Sequence, residues 1–386
     1  MDNNVYFAAA ASYDQQTVDA AVERLFSQLP AAEALAGKKV LLKPNLLAKH
    51  APEKAVTTHP TLVRAVIRAV RRRGAASIMV TDSPGGVYNP AILRSIYKVS
   101  GLADVCREEG AALYTDCRSR ETASGGKLVR AFTLIEPVLD CDVLINLPKL
   151  KTHMMTGLSA ATKNLFGCIP GLQKAEWHMR FPDKERFGEM LIDLLGCVKP
   201  GFAILDGILA QEGDGPAGGT PRMVGLVAAA ENHLQMDLAL CHMLNIRPKD
   251  VPYLNAAIGR GLCPERFDLA CAKGEGELCR PIPGYRLPSS WGSVDFADKA
   301  PRAVRWAVPA VERLLAPRPV INKRLCIGCG KCVEICPQHT ITGAGQGAHP
   351  SGQVHPVLLL PRDVPGEGHR HPAVFSFKKI ITRCEP

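Results

Sequence analysis

The stretch from residue 40 to residue 80 constrains the fold most, because it reads as strand, helix, strand. Val40, Leu41 and Leu42 form an unbroken apolar run too short for a helix, the pattern of a strand covered on both faces. The run stops at Lys43, Pro44 and Asn45. His59 and Pro60 then open a segment that places Leu62, Val63, Val66, Ile67 and Val70 on one helical face, closed by Arg71, Arg72, Arg73 and Gly74. Proline at the start, cations in the last turn and glycine just beyond it are helix punctuation with a physical cause in the backbone dipole and in the missing N–H of proline. Ser77 to Val80 give a second strand, which runs into Thr81, Asp82, Ser83, Pro84 and Gly85. A strand, a crossover helix and a strand make a β-α-β unit with parallel neighbours.

The pattern continues. Val18, Ala21, Val22, Leu25, Phe26 and Leu29 have helical spacing, while 142–147 (DVLINL), 202–205 (FAIL) and Val224 to Val227 are further short apolar runs. The predicted fold is therefore α/β, a mostly parallel doubly wound sheet spanning residues 1–285. Such sheets bind ligands beyond the carboxyl ends of their strands, where loops and helix N-termini converge. From about Arg280 the chain turns rich in Pro, Ser and Gly, and one helical pattern, Val304 to Leu315, precedes Pro317 and Pro319. Residues 286–319 read as a linker with one helix.

Composition narrows the class. At 386 residues, 46% hydrophobic and 22% charged, the chain is globular rather than disordered. No apolar run reaches the roughly 18 to 20 residues of a membrane helix, and the opening residues lack the basic flank of a signal peptide, so a cytoplasmic protein with no membrane span is expected. The net charge of +10 comes without long basic tracts or interleaved aromatics, which favours a basic surface with one anion pocket over nucleic-acid binding. Fourteen cysteines in an enzyme-sized chain point to metal or redox chemistry rather than to disulfides.

Four of them, Cys326, Cys329, Cys332 and Cys336, stand as C-x2-C-x2-C-x3-C followed by Pro337. Thiolates at this spacing, on a loop with two glycines, wrap a cubane of iron and sulfide. Zinc sites usually come as two separated pairs, which leaves a zinc site or unrelated thiols as the lesser alternatives. The motif resembles half of a bacterial two-cluster ferredoxin, a 4Fe-4S module at residues 320–342. In two-cluster ferredoxins the fourth cysteine of each run serves the other cluster, yet only Cys384 follows here. The lone run would close on Cys336 itself or leave a three-thiolate cluster.

Residues 343–386 carry many His and Pro without helical or strand period. If the codons from Gln353 onward are read one base later, with suitable third bases, thiols arise at the positions of Val354, Val357, Leu360 and Val364, again as C-x2-C-x2-C-x3-C. The tail is accordingly expected to be a frameshifted ferredoxin half, the alternative being a disordered tail. One 4Fe-4S cluster follows from the chain as written and two from the restored frame.

The polar residues of the α/β part collect at one imagined rim: Lys43 and Asn45; Thr57, Thr58 and His59; Asp82 and Ser83; Lys149, Lys151 and His153; Lys163 and Asn164 with Gly167; and Asp206. Lysines beside apolar strands are costly to bury unpaired, so their number implies an anion, whether phosphate, carboxylate or protein acids. An exposed strand end would also explain Lys149, Lys151 and His153. Asp206, Glu212 and the stretch GDGPAGGT at 213–220 offer acids and flexible backbone on a rim loop that either cradles a phosphate or merely turns the chain. The remaining histidines, His178 among them, have no ligand spacing; of the scattered cysteines only Cys168 is kept as a candidate reactive thiol.

KPN (43–45), TTHP (57–60), TDSPGG (81–86), INLPKLKTH (145–153), TGLSAATKNLFG (156–167) and EGDGPAGGTP (212–221) together resemble the domain-of-unknown-function 362 family, often joined to a C-terminal pair of ferredoxin motifs. That resemblance implies an iron-sulfur protein and leaves its reaction open. The residues themselves point to an iron-sulfur oxidoreductase or electron-transfer protein, working with a redox partner protein or on a small anionic ligand held at the rim. The alternative is a non-redox binding or cofactor-assembly module in which the cluster is structural.

Overall fold

The computed structural model describes residues 2–289 and, beyond them, the backbone of four short strand segments, Pro319–Ile321, Ile341–Thr342, His349–Pro350 and Phe375–Phe377. The chain divides into two units, residues 1–291 and residues 292–386. Cys326, Cys329, Cys332 and Cys336, the helical pattern at 304–315 and the proposed frameshift all lie outside the described residues.

Among its described residues the first unit has twelve strands: β1 Val5–Ala9, β2 Lys39–Pro44, β3 Ser77–Val80, β4 Ala112–Leu113, β5 Ser119–Ala123, β6 Ala131–Ile135, β7 Val143–Leu147, β8 Lys149–His153, β9 Gly157–Leu158, β10 Phe202–Glu212, β11 Thr220–Ala230 and β12 Ala272–Gly274. Ten form one sheet in the order β12-β1-β11-β10-β7-β2-β3-β4, with β8 branching beside β10 and β9 beside β8. From β10 to β4 every neighbour is parallel, but β11 is antiparallel to both β10 and β1. The sheet is thus mixed: its run from β10 to β4 is parallel as expected, while the hairpin of β10 and β11 and the pairing of β11 with β1 add antiparallel neighbours. The run Val224 to Val227 belongs to an eleven-residue strand that turns straight back on β10, a hairpin where a crossover was expected.

Strand side chains alternate between faces. Val40, Leu42, Ile145, Leu147, Phe202 and Ile204 point into one core, against helices Gln15–Phe26, Pro60–Arg72, Pro90–Val99 and Leu102–Glu108. Leu41, Leu144, Ala203 and Leu205 point into the other, against helices Lys184–Val198, His233–Met243 and Pro252–Gly259. Helices on both faces explain why these strands read as continuous apolar runs. Helix Pro60–Arg72 begins with Pro60 in its first turn, and the imidazole of His59 accepts the Thr61 N–H at 3.3 Å as its N-terminal cap.

After Leu147 the chain jogs at Pro148 and resumes as β8, so β7 and β8 lie in succession along β10. That jog carries β8 and its lysines to the carboxyl end of the parallel strands.

A buried lysine cluster as candidate functional site

Register builds the first part of the site. Lys149 and Asp206 are partners across β8 and β10, and the Lys149 ammonium donates to Asp206 Oδ2 at 2.8 Å with both side chains fully buried. Tyr13, from the loop after β1, donates its hydroxyl to Asp206 Oδ1 at 2.7 Å and accepts from Lys149 Nζ at 2.8 Å. The backbone N–H of His59 reaches Asp206 Oδ2 at 2.8 Å, and the His59 ring stacks on Tyr13 with centroids 3.5 Å apart. Asp206 is therefore a strand residue that organises four elements, not part of a rim loop. Burial pushes the Tyr13 hydroxyl upward and pushes His59 down to about 4, so Tyr13 keeps its proton and His59 is a neutral imidazole at pH 7.

A second ion pair stands at the end of β2. Lys43 Nζ donates to Asp82 Oδ1 at 2.7 Å, and Asp82 Oδ2 accepts the Leu46 N–H at 2.9 Å. Gly167 fits against this pair because it has no side chain; a methyl there would overlap both the carboxylate and the ammonium. Cys168, buried next to them, has its thiol pushed up to about 12 by desolvation, which removes it as a reactive thiolate at neutral pH.

A chain of amides runs from the end of β2 to the segment 161–164. Asn45 Nδ2 donates to Asn164 Oδ1 and Asn164 Nδ2 donates to Asn146 Oδ1, each at 2.7 Å, while Asn146 donates to the Ala161 carbonyl at 2.8 Å. Thr58 accepts the Asn45 N–H at 2.8 Å and donates to the Leu147 carbonyl at 2.7 Å. The segment 161–164 is itself held from behind, since the buried carboxyl of Asp237 accepts the N–H groups of Ala161 and Thr162 at 2.7 and 2.9 Å. Desolvation raises the Asp237 carboxyl to about 6.

Three further ammonium groups have no carboxylate partner among the described residues. Lys151 donates to Asn45 Oδ1 at 2.8 Å and to the Val56 carbonyl at 2.9 Å. Lys174 donates to the carbonyls of Ser83 and Ile169, both at 2.6 Å, and more weakly to Ser83 Oγ and the Pro84 carbonyl. Lys163 has no hydrogen-bond partner among the described residues and lies 5.1 Å from the Phe166 ring centroid and 5.8 Å from that of Phe187. Desolvation lowers Lys151 to about 7, helped by the charges of Lys163 and Lys149; desolvation alone brings Lys163 to about 8. Lys174 falls to about 7, through desolvation first.

His153 and His178 border the same place. His153 Nδ1 accepts the Met155 N–H at 3.1 Å, which leaves the proton of the neutral ring on Nε2. Burial, then the charges of Lys163 and Lys151, hold its pKa well below the usual value. His178 stacks on Phe187 at 4.5 Å and is lowered to about 3 by burial and by Lys163. The structure thus brings Lys43, Asn45, Thr58, His59, Asp82, Lys149, Lys151, Asn164 and Asp206 into hydrogen-bonded networks at one rim, with His153 and Lys163 beside them. Sequence reasoning missed Tyr13, Lys174 and Asp237, and set His178 aside as an ordinary histidine. It left the stretch at 213–220 open: the Gly213 carbonyl accepts from Thr152 Oγ1 at 2.6 Å, the Gly215 carbonyl accepts the Met154 N–H at 3.0 Å, and Glu212 pairs with Arg222 and Arg286. This loop packs against β8 as a turn.

Among the described residues no cluster of His, Cys, Asp or Glu is arranged to hold a metal ion, and no helix is long and apolar enough to cross a membrane. The class defined is an α/β protein with a buried cationic rim on a mixed sheet, continued in sequence by an iron-sulfur segment whose four thiols are the donor set a 4Fe-4S cluster takes. The chain belongs to the family described as "Domain of unknown function (DUF362)", which matches residues 40–242, and a "4Fe-4S binding domain" matches residues 319–342. It is 35% identical over 271 residues, 70% of this chain and 81% of the other, to the "Thylakoid-associated protein sll1697" of Synechocystis sp.. Among solved structures, the lactate racemase apoprotein from Thermoanaerobacterium thermosaccharolyticum aligns with a TM-score of 0.42 and 13% identity, over 63% of this chain and 57% of that one.

Proposed function

We propose that the α/β domain is a binding module for a small anionic ligand, a carboxylate or phosphate compound, and that the iron-sulfur segment serves it as a structural or cofactor-assembly element. One observation carries this reading: Lys151, Lys163 and Lys174 bring ammonium groups into the rim without a carboxylate, while Lys43 and Lys149 already hold Asp82 and Asp206. Uncompensated buried cations are expensive, and an anion removes the cost. The lysines are enclosed rather than spread over a surface, which suits a small molecule better than a nucleic-acid backbone. Its residents would be Lys151, Lys163, His153 through Nε2, and Asn45, with Thr58, His59 and Asn164 as supports.

The test is a titration of the full chain with phosphate, oxalate and pyruvate, followed by calorimetry. Micromolar to millimolar binding that weakens at least tenfold, about 1.4 kcal/mol, in Lys151→Met supports the reading. Equal affinity in wild type and variant overturns it.

A second reading, an oxidoreductase or electron-transfer protein, is favoured by the 4Fe-4S binding domain match at 319–342. Clusters of this kind carry single electrons at potentials set by burial and hydrogen bonding. Reversible reduction of the reconstituted cluster, with a potential that moves when the anion is added, would favour it over a structural cluster. A cytoplasmic location and a protein redox partner belong to this second reading.

A further inference from the structure

Five lysines converge on the rim, and four of them donate to acceptors among the described residues. Lys43 is spent on Asp82 and the Pro44 carbonyl, Lys149 on Asp206 and Tyr13. Lys151 donates to Asn45 and the Val56 carbonyl, and Lys174 to a cage of oxygens from Ser83, Pro84 and Ile169. Lys163 alone has no acceptor among the described residues. It is 9% exposed, so its amine is enclosed yet not sealed, and its neighbours are the rings of Phe166 and Phe187. Its place is fixed from behind by Asp237, through the N–H groups of Ala161 and Thr162.

We propose that Lys163 is an amine nucleophile that forms an imine with the carbonyl carbon of a 2-oxo acid bound at the rim. This rests on the anion-binding reading above and names the class of ligand. The Lys163 nitrogen attacks the carbonyl carbon, a C–N bond forms, the carbonyl oxygen leaves as water carrying the two protons of the amine, and a C=N bond remains. Two features of the surroundings suit the step. Lys151 uses two of its three N–H groups on protein acceptors, which leaves the third for the ligand carboxylate. His153, with Nδ1 occupied by the Met155 N–H, has an Nε2–H free to hydrogen-bond the departing oxygen. An amine desolvated among apolar rings is an environment that activates lysine towards carbonyl compounds. With its ammonium lowered from 10.5 to about 8, the free amine fraction at neutral pH rises by roughly two orders of magnitude over an exposed lysine.

The experiment uses the full chain, pyruvate and sodium cyanoborohydride, with intact mass and peptide mapping as readouts, and lactate as the anion that lacks a carbonyl. The expected result is one reduced adduct per chain, on Lys163, formed roughly 100-fold faster than at exposed lysines. It should be absent with lactate and lost in Lys163→Arg. Adducts scattered over surface lysines, or an adduct that persists in Lys163→Arg, overturns the proposal. Peptide mapping of the wild-type adduct decides the matter should the variant fail to fold. If phosphate and pyruvate bind by calorimetry but no adduct forms, the imine falls and the anion site stands; if neither anion binds, both fall.

Discussion

Gly167 stands so close to Asp82 that any side chain in its place would overlap the carboxylate and the Lys43 ammonium paired with it. Its carbonyl also accepts the Ser83 N–H at 3.0 Å, so the two segments are locked at this point. Gly167→Ala should therefore destabilise the protein by about 1–3 kcal/mol, the usual cost of an inserted methyl where nothing can give. Urea unfolding followed by circular dichroism checks this, and an unchanged midpoint would contradict the packing described.

Lys149 and Asp206 make an ion pair with no access to water, and Tyr13 shares it. Asp206→Asn leaves the lysine without its counter-charge and should cost about 3–5 kcal/mol. The double variant Lys149→Met with Asp206→Leu should recover much of that loss, because neither charge then has to be desolvated. A double variant less stable than the single one would mean that the pair holds the strands in a way its charges do not explain.

The rim lysines set a pH dependence with a definite sign. Lys151, Lys174 and Lys163 have folded values of about 7, 7 and 8, below their unfolded value of 10.5. Between the folded and unfolded values the unfolded chain holds more protons, so stability rises with pH from about 7 towards 10 and is lowest when all three are charged. Melting temperatures of the ligand-free chain at pH 7, 8 and 9 should climb. The stabilisation given by added phosphate should shrink over the same range, since it depends on the charged forms.

Asp237 contributes in the opposite sense. Its carboxyl is raised to about 6 in the fold, so the stability tied to its protonated form is lost as pH rises from about 4 through 6. Asp237→Ala, which frees the N–H groups of Ala161 and Thr162, should cost about 1–3 kcal/mol by unfolding measurements and weaken anion binding through the loosened Lys163 and Asn164. Binding unaltered in a folded Asp237→Ala would mean that this carboxyl does not position the site.

Iron analysis tests the thiol motif. Anaerobic reconstitution of the full chain should load about four iron and four sulfide per chain, and Cys329→Ser should lose most of it. Loading near eight would point to a second cluster. Zinc retained in preference to iron would overturn the cubane assignment.

Where chemistry is local, the sequence foretold the structure. The strand-helix-strand unit from β2 to β3 needs only apolar period and helix caps, both carried by adjacent residues. What escaped depends on long-range partners. β1 lies in an alanine-rich run with weak strand propensity and becomes a strand because β11 pairs with it. Tyr13 meets Asp206 across 193 residues, and Lys174 sits in a helix polar enough to read as exposed. Lys149 and Lys151 stood out because charge interrupts an apolar pattern, but whether they were paired or free was a matter of register that one-dimensional spacing does not hold.

The place of β1 also orders events during synthesis. It is made before the parallel strands, yet its neighbours are β11 and β12, so that Phe7 waits for Ala228 and Gly274. On the ribosome, the parallel strands can assemble as they emerge, while one margin of the sheet stays open until the chain has been extended past residue 274. The segment at 319–342 is translated only after that, so iron and sulfide are first called for when the sheet already has everything it needs to close.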